Sequence, residues 1–156
     1  MIRNLGDWRF QVDMEATLAH TTENSLDHCT CGYCRNYYDA LEITYPDVVA
    51  FLQSFGVNVQ GPSEVMPFEP TLVLACYRVK GTILQWGREA LFVSGISVLP
   101  EAADETSFFL WVGEMPLPWL QEEDMDEVIS PANLPEFLER MQQVWIQRYG
   151  EETVLS

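Results

Sequence analysis

Hydrophobic residues recur along this chain with two different periods, and the order of the two periods limits the folds it can adopt. From Trp8 to Leu18, apolar and polar residues alternate over eleven positions. A period of two is typical of a β-strand with one buried face. The polar residues 21–27 that follow predict a loop. We therefore expect the chain to begin with a strand.

A helical period replaces the alternation after this loop. Apolar residues then recur at spacings of three and four, with an interruption at Pro46. This pattern predicts two helices in series, over residues 34–44 and 46–55. Proline suits the first turn of the second helix, and Gly56 is its expected C-terminal cap.

The central part of the sequence predicts a loop followed by several strands. Glycine and proline residues mark residues 61–70 as the loop. Residues 72–79 are apolar on both faces, which indicates a central strand, and residues 81–86 either continue this strand or form its hairpin partner. Residues 90–99 and 106–112 predict an antiparallel hairpin around an acidic loop at 100–105.

A last amphipathic segment predicts a C-terminal helix. Asn133 and Glu136 are placed as a capping box, and apolar residues follow at helical spacing up to Tyr149. We expect this helix to pack on the first strand. The whole order predicts a single α+β domain, with an antiparallel or mixed sheet of four to five strands covered by helices.

The charge of the chain excludes some classes of function. Its 156 residues carry a formal net charge of -16, so phosphate backbones are repelled and direct nucleic-acid binding is not expected. The longest apolar runs are much shorter than the roughly 20 residues that cross a bilayer, and the first residues lack the apolar stretch of a secretory signal. A cytoplasmic protein without a membrane span is the expectation.

The strongest local charge feature lies at residues 101–127, which contain nine carboxylates and no basic residue. A large acidic surface attracts basic proteins, and inhibitor or immunity-type proteins use such a surface to bind their targets. Trp119 is the expected anchor beside the carboxylates. The acidic run lacks the spacing of an EF-hand loop. The predicted partner-contact residues are Trp119, Glu122, Glu123, Asp124, Asp126 and Glu127.

Three of the four cysteines, Cys29, Cys31 and Cys34, fall within six residues. Thiolates with a histidine as fourth ligand suit tetrahedral Zn²⁺, so the cluster is a candidate zinc site. His28 is the nearest candidate for the fourth ligand. His20, on the apolar face of the predicted first strand, and Cys76 are the alternatives.

The same residues also allow a redox reading. Cys31-Gly32-Tyr33-Cys34 forms a C-x-x-C pair at a predicted helix start, where a thiolate is stabilised. Together with Pro70-Thr71 before a strand, this stretch resembles the active site of the thioredoxin family. The resemblance implies thiol–disulfide chemistry at Cys31 and Cys34, with a proline loop facing them. A third reading is that these are reduced thiols packed as small apolar side chains.

Two functions follow from these observations. The first is a non-catalytic binding protein whose acidic surface meets a basic protein partner, without a cofactor. The alternative is a small thiol-redox or zinc-containing protein that uses Cys29, Cys31 and Cys34. No phosphate-binding glycine loop, serine-nucleophile elbow or zinc-protease motif is present, which does not favour an enzyme.

Overall fold

The computed structural model describes residues 1–26, 29, 31–69 and 72–121, which form an α+β domain with an antiparallel sheet. The α+β class is confirmed, but the prediction of four to five strands is wrong, because the described residues contain seven. The elements are β1 Ile2–Leu5, β2 Trp8–Val12, α1 Met14–Leu26, α2 Gly32–Thr44, α3 Pro46–Gln53, β3 Glu64–Glu69, β4 Leu72–Gln85, β5 Leu91–Val93, β6 Ile96–Asp104 and β7 Ser107–Pro116.

The sheet is organised around β4, its longest strand. The order of the hydrogen-bonded strands is β1-β2-β4-β7-β6-β5, and β3 also pairs with β4. β7 pairs with residues 72–80 of β4, while β3 and β2 pair with residues 72–76 and 81–85 along the other edge. β4 therefore continues through residues 81–85 rather than turning into a hairpin partner.

Gly81 lies where the neighbour of β4 changes from β3 to β2. Its φ of +152° lies outside the range that side chains favour. A Cβ atom at this position would lie 2.0 Å from the carbonyl oxygen of Gln11. Glycine is thus required for β2 to approach β4 closely.

The first strand is shorter than its alternation predicts. The strand ends at Val12, and residues 14–26 form α1 instead of the predicted continuation and loop. Asp13 caps this helix, because its carboxylate accepts the backbone N–H of Ala16 at 3.0 Å. The apolar alternation continues to Leu18 in the sequence, but the capped helix replaces the strand after Val12.

The next two helices are confirmed, with small changes at their ends. α2 begins at Gly32, two residues before the predicted start, and α3 begins at Pro46 as predicted. The chain then turns at Gly56, whose φ is +87°. The predicted cap residue thus lies three positions beyond the end of α3.

Two further predicted loops are also wrong. Residues 64–69 form β3 despite Pro67, which is tolerated because β3 has β4 on one side only and its register shifts next to this proline. The acidic loop predicted at 100–105 is largely part of β6. The preceding segment is divided into β5 and β6 by a turn at Ser94 and Gly95, both of which have positive φ.

The main core lies between the helices and one face of the sheet. Phe10 of β2 is fully buried and contacts Phe55 and Phe108, with ring centroids 5.4 and 5.2 Å away. The burial of Trp8, Phe10 and Val12 is confirmed. Their predicted partner helix at 133–149 lies outside the described residues, and Met14 belongs to α1.

A smaller cluster lies on the opposite face of the sheet. Leu74 and Cys76 of β4 pack there with Met66 and Trp111. They alternate along β4 with Ala75 and its neighbours, which belong to the main core. Among the described helices, none is long and apolar enough to cross a membrane.

Candidate thiolate metal site

The structure brings the three clustered cysteines together at the start of α2. Cys29 lies in the connection between α1 and α2, Cys31 is the N-cap residue of α2, and Cys34 is in its first turn. Their sulfur atoms all lie within 4.8 Å of one another. Cys29 and Cys31 are exposed and Cys34 is buried, so the site faces solvent on one side and the core on the other.

Backbone N–H groups point at these sulfur atoms. The N–H of Cys31 donates to Sγ of Cys29 at 3.5 Å. The N–H groups of Tyr33 and Cys34 donate to the sulfur of Cys31. The N–H groups of Tyr33 and Cys34 belong to the first turn of α2, so the helix end provides partial positive charge where thiolates would lie.

The sulfur atoms of Cys31 and Cys34 also interact with each other. A hydrogen bond from the Cys34 thiol, aided by the backbone donors, lowers the pKa of Cys31 to about 5. The same hydrogen bond, together with burial, raises the pKa of Cys34 above its ordinary value. In the metal-free protein, the two thiols therefore differ: Cys31 holds the negative charge and Cys34 keeps its proton.

Tyr38, one turn further along α2, closes the buried side of the cluster. It is 8 % exposed and its hydroxyl group is hydrogen-bonded to Cys34. Burial, followed by the nearby thiols, raises the pKa of this phenol. Nothing in the sequence spacing of the cysteines indicated Tyr38, although a residue four positions after Cys34 lies on the same face of a helix.

The candidates for a fourth ligand do not join the cluster among the described residues. His20 is in α1 rather than on the first strand, with Nε2 3.4 Å from Nδ2 of Asn24. Cys76 points to the opposite face of the sheet from Cys34 and is buried with Trp111. His28 lies outside the described residues.

Tyr37 anchors α2 to the sheet beneath the cluster. Its hydroxyl group lies 2.5 Å from that of Tyr77 on β4. The Tyr77 hydroxyl also donates to the carbonyl oxygen of Val59 at 2.7 Å. Both rings are fully buried, so this network fixes the position of the helix that carries Cys31 and Cys34.

Trp119, the predicted partner anchor, lies close to the same helix. Its ring meets that of Tyr33 edge to face, with centroids 5.7 Å apart. Residues 122–127, which hold the other five predicted partner contacts, lie outside the described residues. The predicted acidic surface is thus described only in part.

Of the two stretches that carry the resemblance to thioredoxin, only the thiol pair lies within the described residues. Cys31 and Cys34 do lie at a helix N-terminus. The element before them is α1, however, whereas the resemblance implies a buried strand. Pro70 and Thr71 lie outside the described residues. Comparison with protein-family models, curated protein sequences and solved structures finds no match to this chain.

Proposed function

We propose that this protein binds a thiophilic metal ion, with Zn²⁺ as the first candidate, through Cys29, Cys31 and Cys34. The observation that carries the proposal is the convergence of three sulfur atoms within 4.8 Å of one another. Two sulfurs at about 2.3 Å from a tetrahedral zinc ion are about 3.8 Å apart. Side-chain rotations that move the sulfurs by about 1 Å or less therefore produce a coordination site.

The surroundings of the cluster support a metal ion. Three thiolates need compensation for their negative charge, and a divalent cation supplies most of it. Backbone N–H groups donate to the sulfur atoms of Cys29 and Cys31. A sulfur atom that accepts such a hydrogen bond still has lone pairs with which it can bind a metal ion. Because Cys29 and Cys31 are exposed, an ion can enter directly from solvent.

Thiol–disulfide exchange is the competing function at this site. Cys31 is exposed at a helix N-terminus and Cys34 is buried behind it, an arrangement suited to an attacking and a resolving thiol. A two-thiol reaction gives no role to Cys29, however. The third sulfur is the reason that metal binding is favoured.

Binding of a basic protein partner stays a prediction. Among the described acidic residues of the 101–127 stretch, Asp104 is occupied within the fold, since its carboxylate pairs with Arg78 at 3.0 Å and accepts the N–H of Thr106 at 2.8 Å. Its role is to close the turn between β6 and β7. An acidic docking surface would depend mainly on the carboxylates at 122–127.

Metal content of the reduced, purified protein tests the proposal. We expect one equivalent of zinc per chain, and Co²⁺ in its place should show a sulfur-to-cobalt charge-transfer band. The single variants Cys29→Ser, Cys31→Ser and Cys34→Ser should each weaken binding, because each removes one thiolate ligand. Cys76→Ala is the matched control, since Cys76 is on the other face of the sheet.

Two outcomes contradict metal binding. A protein that takes up no metal but forms a reversible Cys31–Cys34 disulfide would be a redox protein. A protein that takes up no metal and forms no disulfide would have cysteines that only pack. Retention of full metal affinity in Cys29→Ser would contradict the three-sulfur site.

A further inference from the structure

Residues 116–121, which begin at the last residue of β7, lie along α2 and are held there by side-chain contacts. At the C-terminal end, the hydroxyl group of Tyr45 donates to the carbonyl oxygen of Pro116 at 2.7 Å. Near the middle of the helix, Gln121 donates through Nε2 to the carboxylate of Asp39 at 2.8 Å. Trp119 of the 116–121 segment meets Tyr33, which lies in the half of α2 that contains Cys34.

Asn36 makes two hydrogen bonds with this segment. Its Nδ2 donates to the carbonyl oxygen of Pro118 at 3.0 Å, and its Oδ1 accepts the backbone N–H of Leu120 at 2.7 Å. The side chain is 3 % exposed, and both ends of its amide group are satisfied by these two bonds. Asn36 therefore holds the backbone on both sides of residue 119.

The N-terminal end of α2, with the residues just before it, supplies both the proposed metal ligands and contacts of the 116–121 segment. Cys31 and Cys34 stand three residues apart, Tyr33 between them carries the ring that meets Trp119, and Asn36 follows two residues later. Any change in the order of this first turn acts on both sets of contacts.

This first turn has only a weak cap at its start. Cys31, the N-cap residue, offers the N–H groups of Tyr33 and Cys34 only its sulfur, which is a weaker acceptor than the oxygen of the usual capping residues, and the first turn contains no acidic residue. Its first residue is Gly32, which has a weak helix propensity. An ion that bridges Cys31 and Cys34 would hold this turn more firmly than the weak sulfur cap does.

We infer that metal binding at the cysteines and docking of the 116–121 segment on α2 are coupled, with Asn36 and Trp119 as positioning residues for the metal site. The inference rests on the proposed metal binding. The ion orders the first turn, which carries Tyr33, and with it the start of the next turn, which carries Asn36; both residues contact the segment. By thermodynamic linkage, the docked segment must raise the metal affinity by the same factor by which the ion favours docking.

Zinc affinity of the full chain, measured by competition with a chelator, tests the coupling. We expect Asn36→Ala and Trp119→Ala each to weaken zinc binding by about fivefold or more, which is the lower end of typical coupling factors. Trp119→Phe should largely restore the affinity because it keeps an aromatic ring against Tyr33. Trp86→Ala is the matched control, since Trp86 is exposed and contacts Trp8 instead.

Hydrogen exchange gives a second measurement that needs no variant. In the unmodified protein, the amide of Leu120 should exchange more slowly with zinc than without it, because its acceptor Asn36 is then held in place. If zinc binds but neither this exchange rate nor the affinity of the two alanine variants changes, the coupling is wrong and metal binding stands. If zinc does not bind at all, both proposals are wrong.

Discussion

The hydroxyl groups of Tyr37 and Tyr77 meet between α2 and β4, where neither ring has any contact with water. A buried hydroxyl group is costly unless it is paired, and here three groups satisfy one another, since Val59 provides the carbonyl acceptor. The helix that carries the cysteines is therefore held in place by polar contacts as well as by apolar burial.

These two phenols predict a loss of stability at alkaline pH. Burial raises the pKa of both above the ordinary value of about 10. Since the folded-state pKa exceeds the unfolded-state pKa, their stabilising effect is complete below about pH 10 and declines as the pH rises towards the folded-state values. We expect the free energy of unfolding, measured with denaturant, to fall as the pH rises above about 10.

The double variant Tyr37→Phe/Tyr77→Phe is the control for this effect. It should lose less stability than the unmodified protein over the same pH interval, because two of the groups that must ionise are gone. An equal loss in both proteins would assign the alkaline effect to other groups.

Local signals made the candidate site partly predictable at the level of residues. The positions of Cys31 and Cys34 at a helix start follow from their spacing before a helical pattern, which is information held within a few residues. Whether Cys76 can join the other three cysteines depends on which face of β4 it occupies. That choice is made by packing against distant residues such as Trp111, so spacing alone could not show it.

Among the elements, α1 is attached by hydroxyl groups to the sheet and to the loop after α3. Thr17 and Thr21 are fully buried. The hydroxyl oxygen of Thr17 accepts the N–H of Lys80 at 2.9 Å, and that of Thr21 accepts the N–H of Asn58 at 2.8 Å. A periodicity of apolar residues does not reveal a helix whose buried face carries threonines, so the sequence pattern predicts a strand and a loop here.

Thr21→Val tests this attachment. Valine has nearly the same shape but leaves the N–H of Asn58 without its acceptor, so we expect a loss of about 1–3 kcal/mol in the free energy of unfolding. The neighbouring Thr22→Val is the control, because Thr22 is exposed and only meets the side chain of Asn58 at 3.3 Å. Equal stability of the two variants would mean that the hydroxyl group of Thr21 is dispensable.

The number of strands was underestimated for two physical reasons. β1 has four residues, with a burial pattern too short to show a clear alternation. β3 contains Pro67, which usually indicates a loop but is acceptable on an edge strand. The longer elements β4, α2 and α3 have stronger patterns, and these were predicted with only small errors at their ends.

Across the whole molecule, aromatic rings from distant parts of the sequence share one core. Phe10 packs between Phe55 and Phe108 and is fully buried. Phe10→Ala should reduce the free energy of unfolding by about 3–5 kcal/mol, because it leaves a cavity that its neighbours can only partly fill. Chemical denaturation of the purified variant measures the loss.

Phe92→Ala provides the matched control for this substitution. Phe92 is 67 % exposed on β5, so its truncation should change the stability by about 0.5 kcal/mol or less. A loss below about 1 kcal/mol for Phe10→Ala would contradict the central position of this ring, since truncation of a fully buried phenylalanine ordinarily costs several times more.

The pairing of β2 with the far end of β4 has a consequence for synthesis on the ribosome. Val12 pairs with Gly81, so β2 is made about 70 residues before its partner. At about 5–20 residues per second, the N-terminal hairpin emerges roughly 3 to 14 seconds before the strand that completes it. During this interval the edge of β2 that later pairs with β4 has no neighbouring strand. Its unpaired backbone groups, beside the apolar side chains of Trp8, Phe10 and Val12, are then accessible to a chaperone.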